Sequence, residues 1–241
     1  MKSRALLLAS AISLLCIAAP SAAEPPIGSR LGERLTKDRP LDEATSVKQG
    51  HALASCLVNK RAPQVKQLLN QTDKNGYASA YKVLTGGEID CFSMFVDSTA
   101  PLAEARAFQA PRDIFRGLLA EELIERDTKS YAALASLPRR LTYSRPWYAA
   151  TDRDPSVDEM ATCVSEIAPA EALALLKTEP YSDGEGSAFA AVVPRMGLCL
   201  RAGVKLTGNR QSLRAALADA LYQRVVNPAP VVPPAQATKS P

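Results

Sequence analysis

The sequence has a single histidine, His51, and lacks the short motifs that mark most catalytic and nucleotide-binding sites. It contains no Gly-rich phosphate loop, dinucleotide fingerprint, Gly-x-Ser-x-Gly elbow or EF-hand loop. It also has no Cys-x-x-Cys pair, so four-coordinate zinc would lack its usual ligand spacing. We therefore predict no catalytic residue, no metal and no cofactor, and we expect His51 to be an exposed surface residue.

Charge of one sign and aromatic side chains are also scarce. The chain carries 29 Lys and Arg against 25 Asp and Glu, which gives a net charge of +4. So small an excess supports neither nucleic-acid binding nor a polybasic membrane surface, and we predict no nucleic-acid partner. Aromatic residues make up only 5% of the chain, whereas alanine and leucine are abundant. This composition favours helices over sheets, so we predict an all-α fold.

Long hydrophobic runs are missing as well. The run at residues 5–19 is broken only by small serines and is shorter than the roughly 20 apolar residues that a membrane-spanning helix needs. It follows Lys2 and Arg4 and precedes small residues that end at Ala23, which is the three-part layout of a secretory signal peptide. We predict cleavage between Ala23 and Glu24, a periplasmic or secreted protein, and no transmembrane segment after cleavage.

What the mature sequence does contain is an internal repeat. Residues 53–57 match 160–164 at a spacing of 107, and Leu68 and Leu69 match Leu175 and Leu176 at the same spacing. Residues 79–81 match 187–189 at a spacing of 108. After roughly ten extra residues in the first copy, residues 112–126 match 210–224 at a spacing of 98. Three collinear blocks predict two tandem, diverged copies of one module.

Four cysteines remain in the mature chain, and an even number in an exported protein indicates two disulfides. Cys56 and Cys91 are 35 residues apart, and Cys163 and Cys199 are 36 apart. Because these spacings match between the copies, we predict the bonds Cys56–Cys91 and Cys163–Cys199. Free buried thiols are the alternative.

Helix signals recur at matching places in the two copies and predict four helices in each. Pro63 and Pro169 stand where a second helix is expected to begin in each copy, because proline is tolerated in a first helical turn. Gly86-Gly87 and Pro194 are expected to interrupt the third helix. Ser156 is predicted to cap the first helix of the second copy, and Asn209 to cap its last.

The predicted architecture is a pseudo-symmetric pair of disulfide-bearing four-helix modules. Its segments are a signal peptide at 1–23, a disordered N-terminal segment at 24–41, helical module 1 at 42–126, a connector at 127–155 with some helix at 130–136, helical module 2 at 156–226 and a Pro-rich disordered tail at 227–241.

Charged residues recur on the last predicted helix of each copy. We interpret Glu121, Glu122, Glu125 and Asp219 as solvated faces of amphipathic helices, with Glu122 pairing with Arg126 four residues later. Paired carboxylates of a hydrolase are the alternative. The arginines that recur between the copies are interpreted as fixing each module's surface or packing, with a repeated anion site as the alternative; they are Arg112, Arg116, Arg210 and Arg214.

The connector combines arginine with aromatic residues, a mixture that suits stacking and recognition of an anionic ligand or glycan. The candidate ligand-binding residues are Arg139, Arg140, Tyr143, Arg145, Trp147 and Tyr148. The alternative, which we favour, is that these aromatic side chains fill the seam between the two copies.

One pattern near the C-terminus carries a resemblance. Cys199-Leu200-x-x-Gly203-x-x-Leu206, followed by the Ala/Leu-rich residues 213–222, resembles a signature of uncharacterised exported α-helical proteins of alphaproteobacteria. It covers about a third of the chain, and Phe92-Ser93-Met94-Phe95 departs from it in the first copy. The resemblance implies a periplasmic helical protein and brings no catalytic residues with it.

Three functional hypotheses follow. The leading one is a non-enzymatic periplasmic or secreted protein with a structural or partner-binding role, its partner being an envelope protein or a glycan. The second is a binder of a small ligand or anionic glycan at the junction between the repeats. The third is a hydrolase that works with carboxylates.

Overall fold

A computed structural model describes residues 43–86, 91, 111–204, 206 and 208–228 of the chain. Within these residues the protein consists of helices and connecting loops without any strand, which confirms the all-α class. The predicted signal peptide, the segment 24–41 and all of the predicted tail beyond residue 228 lie outside the described residues.

The described part of the chain forms eight α-helices and one 3₁₀ helix, the latter at Pro146–Ala150. The α-helices are α1 (Glu43–Leu69), α2 (Lys74–Thr85), α3 (Arg112–Arg126), α4 (Thr128–Ala132), α5 (Pro155–Ile167), α6 (Pro169–Leu176), α7 (Asp183–Cys199) and α8 (Arg210–Val226).

Helix α1 consists of two helical stretches separated by a kink at Arg61, two residues before Pro63. Arg61 has a non-helical backbone conformation, with φ −141° and ψ 38°. Ala168, which separates α5 from α6 directly before Pro169, has nearly the same conformation, with φ −141° and ψ 53°. We call α1–α3 the first half of the described chain and α5–α8 the second half. Each half therefore begins with a helical stretch, a sharp break and a shorter helical stretch.

The helix ends follow local capping signals. The side chain of Asp73 accepts hydrogen bonds from two backbone N–H groups of α2, and Asn209 accepts from the N–H of Ser212, as predicted for that cap. Helix α2 ends at Thr85, directly before Gly86, also as predicted. The predicted helix at 130–136 is shorter and earlier, at Thr128–Ala132.

Two expectations about helix boundaries are wrong. Asp154 rather than Ser156 caps α5, because Pro155 occupies the first helical position and pushes the residue before it into an extended conformation. Pro194 does not interrupt α7, which continues to Cys199. Ala190 and Pro194 both lie on the exposed side, so water can hydrate the Ala190 carbonyl that proline leaves without a helical partner.

Helices α3 and α8 pack against each other at the centre of the molecule, with α1 on α3 and α5 on α8. Helices α3 and α8 approach each other closely at Gly117, where a β-carbon would lie only 2.3 Å from the β-carbon of Ala215. Residues 114–121 of α3 and 214–223 of α8 are buried without a gap. Both central helices are therefore enclosed on nearly all sides over these stretches.

Both predicted disulfides are present. Cys56 of α1 is bonded to Cys91, and Cys163 of α5 is bonded to Cys199, the last residue of α7. The second bond joins α5 to the end of the third helix of its half. Of the helices that the structure describes, none has the length and apolar character that crossing a membrane requires.

Candidate functional site

A buried arginine on α3 joins three helices. The Arg116 side chain is fully buried, and its Nε donates to the Asp219 carboxylate on α8 at 2.9 Å. Its terminal nitrogens donate to the carbonyl oxygens of Leu68 and Leu69 at 3.3 and 3.0 Å. These carbonyls belong to the last turn of α1, where the C=O groups have no N–H partner within the helix. One guanidinium thus completes the end of α1 and holds α3 to α8.

Arg153 and Asp158 extend this group, and we call Arg116, Asp219, Arg153 and Asp158 the Arg116 cluster. Arg153 donates to Asp158 at 2.7 Å and to Asp219 at 3.1 Å, while Thr151 donates to Asp158 at 2.6 Å. Burial alone would raise the pKa of Asp219, but the charges of Arg116 and Arg153 and their hydrogen bonds bring it below its usual value. Two cations face two carboxylates, so the cluster is balanced.

A second buried arginine, on α8, has the corresponding role in the other half. Arg214 donates to Glu121 of α3 at 2.6 Å and to Glu185 of α7 at 3.1 Å. It also donates to the carbonyls of Leu176 and Thr178, at the end of α6, at 3.1 and 2.8 Å. We call Arg214, Glu121 and Glu185 the Arg214 cluster.

The Arg214 cluster has more carboxylates than buried cations. Burial raises the pKa of Glu121, although Arg214 opposes this. Arg210 lies 3.7 Å from Glu185, but half of its side chain is exposed, so solvent weakens its attraction to Glu185. The Gln211 amide donates to Glu185 at 3.1 Å and supplies a neutral partner.

His51 lies beside this cluster, which corrects the expectation that it is an exposed surface residue. Its Nδ1 is 3.9 Å from Glu121, and only 23% of the side chain is exposed. Burial lowers the pKa of His51 to about 4, with the positive charge of Arg214 contributing, so the ring is neutral at pH 7. At the spacing of 107 residues that relates the two predicted copies, His51 corresponds to Asp158, which is also buried.

The interpretation of the acidic residues as solvated is wrong for Glu121 and Asp219, which are 2% and 0% exposed. It assumed that α3 and α8 each have a polar outer face, whereas both are central helices. The interpretation holds for Glu122, which pairs with Arg126 at 3.0 Å near the surface, and for exposed Glu125. Partial desolvation by the surrounding protein, and then the charges of Glu121 and Glu122, raise the pKa of Glu125 to about 7.

At the predicted ligand site, the aromatic residues lie mostly inside the protein. Trp147 is 3% exposed and Tyr143 is 5% exposed. The Tyr143 hydroxyl accepts from the backbone N–H of Arg140 at 3.0 Å, and the Tyr148 hydroxyl donates to Thr162 at 2.8 Å. Trp147 and Tyr148 contact each other edge to face, with ring centres 4.6 Å apart. This burial favours the seam, and ligand binding by these aromatic side chains stays a prediction.

The arginines of the predicted site converge on a residue that the sequence pattern had not indicated, Glu166. Arg140 approaches one carboxylate oxygen at 3.1 Å and Arg145 donates to the other at 2.8 Å, while Arg139 is exposed. Glu166 is the next-to-last residue of α5, and no motif marks it. Only the packing of the connector on α5 brings the two arginines to it.

A small pocket lies beside Glu166. Its walls include Arg145, Trp147 and Glu166 from one side and Gln223, Arg224 and Asn227 from the end of α8. Its volume is about 20 Å³, which accommodates one water molecule or a single small group but no sugar ring. Arg224 donates to the carbonyls of Ser165, Glu166 and Ala135.

Within the described residues, no three His, Cys, Asp or Glu side chains are arranged to hold a metal ion. Comparison of the chain with protein families, with curated proteins and with solved structures finds no match.

Proposed function

We propose that this is an exported, non-enzymatic helical protein that binds a partner protein through the solvent-facing side of α7. The observation that carries the proposal is an apolar stripe on that helix. Ala190, Val193, Pro194, Gly197 and Leu198 are spaced by three and four residues and are all exposed. Val193 is 50% exposed and Leu198 is 54% exposed.

The stripe is additional to the side by which α7 joins the core. Phe189, Val192 and Met196 bury that inner side. A helix that is apolar on both sides is expected to have neighbours on both sides, and exposed apolar patches commonly mark protein-protein contacts. The stripe suits an apolar helix of a partner, because its small residues allow a close approach of two helices.

Helix α2 holds the corresponding place in the first half and provides a comparison. Its exposed residues near the C-terminal end include Ser79 and Lys82 beside Val83. The outward face of α2 is thus partly polar, as expected of a helix in contact with water. Of these two helices, α7 is therefore the one to which we assign the contact.

The buried charges support a structural role rather than catalysis. Each carboxylate of the Arg116 and Arg214 clusters is held by an arginine, and each central arginine also completes the end of a helix. A catalytic acid or base needs access to a substrate proton. These carboxylates instead face other protein groups from several helices.

Two further features support export. The disulfides form and persist in oxidising compartments outside the cytosol. The N-terminal 23 residues have the layout of a secretory signal, as the resemblance to exported alphaproteobacterial proteins also implies.

We also propose that the two halves arose by duplication of one module, as the repeat predicts. Arg116 of α3 pairs with Asp219 of α8, while Arg214 of α8 pairs with Glu121 of α3. Such exchange of partners is characteristic of a two-fold interface between two copies of one surface. The contact of Gly117 with Ala215, 98 residues apart, and the matching breaks at Arg61 and Ala168, 107 residues apart, support the same relation.

Photo-crosslinking in intact cells tests the partner-binding proposal. A photoreactive amino acid at Val193 or Leu198 should give a discrete crosslinked species of higher mass. The same amino acid at Ser79 or Lys82 of α2 is the matched control and should not. Leu198→Lys should remove the species without changing the helical circular dichroism, because Leu198 is exposed. Equal crosslinking from both helices, or none from α7, would rule out this docking face.

A further inference from the structure

We propose that the pocket beside Glu166 binds a single oxyanion group: a carboxylate, sulfate or phosphate. The ends of α5 and α8 and the connector segment around Arg145 form this site. It is independent of the α7 stripe and does not rest on the proposed partner.

Three arginines and a single carboxylate, that of Glu166, lie together here. Arg140 and Arg145 both contact Glu166, at 3.1 and 2.8 Å, and Arg224 binds backbone carbonyls, including that of Glu166 itself. The side chains therefore leave an excess of two positive charges. The C-terminal ends of α5 and α8 each contribute about half a negative charge. About one positive charge remains, whereas the Arg116 cluster is balanced.

Of the three arginines, Arg224 is the one whose described hydrogen bonds go to backbone carbonyls and to no carboxylate. It is partly buried, and burial lowers the pKa of its guanidinium, with Glu166 alone acting in the opposite direction. A partly desolvated cation of this kind gains from a nearby anion more than a fully solvated one does. An oxyanion in the pocket would supply that charge.

The pocket also offers donors of the right kind. A guanidinium has five N–H donors in a planar fork that suits carboxylate, sulfate and phosphate oxygens. The described hydrogen bonds of Arg145 go to the Ser144 carbonyl and to Glu166, which engages two of its nitrogens. The remaining N–H groups belong to a side chain that lines the pocket.

The size of the pocket limits what can enter. A volume of about 20 Å³ admits one small group, close to the size of a water molecule. The anionic group of a larger ligand would enter, while the rest of the ligand stays in solvent near partly exposed Tyr148. The site thus recognises an anionic group, which can belong to a larger ligand or be a free anion.

Trp147 provides the measurement, because it is the only tryptophan and lines the pocket. The full mature protein is titrated at constant ionic strength with sulfate, glucuronate, a glucuronate oligomer and, as the neutral control, glucose. Sulfate and glucuronate should change the fluorescence with saturation and a Kd on the order of 1 mM, as expected for one charged group. Glucose should not. Tighter binding of the oligomer identifies a glycan as the source, and equal binding identifies a free anion.

Arg145→Gln should weaken binding about tenfold, because a charge-assisted hydrogen bond is lost. Arg126→Gln is the matched control: it removes the same charge from the last turn of α3, 98 residues before Arg224, and should leave the Kd unchanged. If the first variant does not fold, Arg140→Gln provides a second test: this 35% exposed side chain contacts Glu166, and removing its charge should also weaken anion binding. Absence of a saturable response to every anion, or an equal loss in Arg126→Gln, would overturn the proposal.

Discussion

Arg214 illustrates why a buried charge depends on its partners. It is 1% exposed and faces two carboxylates and the carbonyls at the end of α6. A buried ion pair adds little net stability over an apolar pair of the same shape, because desolvation offsets the attraction. Removing one partner is costly, however, since the remaining charge stays buried and unpaired.

Replacing this arginine by methionine is therefore expected to be strongly destabilising. Arg214→Met leaves Glu121 and Glu185 without their buried cation and should lower the free energy of unfolding by about 3–5 kcal/mol, measured by urea denaturation. Arg126→Met removes an arginine from the surface pair with Glu122 and should cost less than about 1 kcal/mol. Similar losses in both variants would contradict a special role for the buried cluster.

Glu125 makes stability depend on pH. Partial desolvation and the charges of Glu121 and Glu122 raise its pKa to about 7 from an ordinary value of 4.5. The folded protein therefore holds this proton more tightly than the unfolded chain does, so the contribution of Glu125 to stability falls as the pH rises from about 4.5 to 7.

Glu125→Gln should consequently stabilise the protein at pH 8 and have little effect at pH 4. Because the side chain is exposed, solvent screening should keep the gain below about 1 kcal/mol. Urea midpoints of both proteins at the two pH values measure the difference. A gain of the same size at pH 4 would show that the carboxylate charge is not its cause.

At the scale of the helices, local sequence signals predicted several helix ends, whereas tertiary contacts determine which charged residues are buried. Asn209 and Gly86 were predicted correctly because a cap or a stop depends on neighbouring residues in the chain. The burial of Glu121 and Asp219 was missed because it depends on the contact of α3 with α8, which a periodic pattern does not contain. Glu166 was missed for the same reason, since its two arginines come from the connector. Arg116 and Arg214, singled out by their recurrence, are the part of the buried clusters that the sequence did indicate.

The contact between α3 and α8 can be tested at its closest point. Gly117→Ala would place a β-carbon 2.3 Å from that of Ala215, so the two helices must separate. We expect a loss of at least about 1–3 kcal/mol in the free energy of unfolding, as for other overpacked cores. Gly186→Ala, within α7, meets nothing within 4 Å and should be stabilising by about 0.5–1 kcal/mol, because alanine favours a helix. Equal effects at both positions would contradict the close approach.

At the scale of the whole molecule, the two halves share their core. The ion pairs Arg116–Asp219 and Arg214–Glu121 cross between the halves in opposite directions. Neither half keeps its central helix buried without the other, because α3 and α8 enclose each other. Two independent domains would instead have separate cores and separate stabilities.

The protein should therefore unfold in one cooperative transition, even when only one half is weakened. Removing the Cys163–Cys199 bond by replacing both cysteines with alanine frees a loop whose closure contributes about 4 kcal/mol in the chain-entropy model. For a chain of this size that corresponds to a decrease in Tm of roughly 10 °C. Calorimetry should show one peak that moves as a whole, and Trp147 fluorescence and far-ultraviolet circular dichroism should change together. If a second peak instead stays at the original Tm, the half with the Cys56–Cys91 bond unfolds independently, and the crossed ion pairs do not couple the halves.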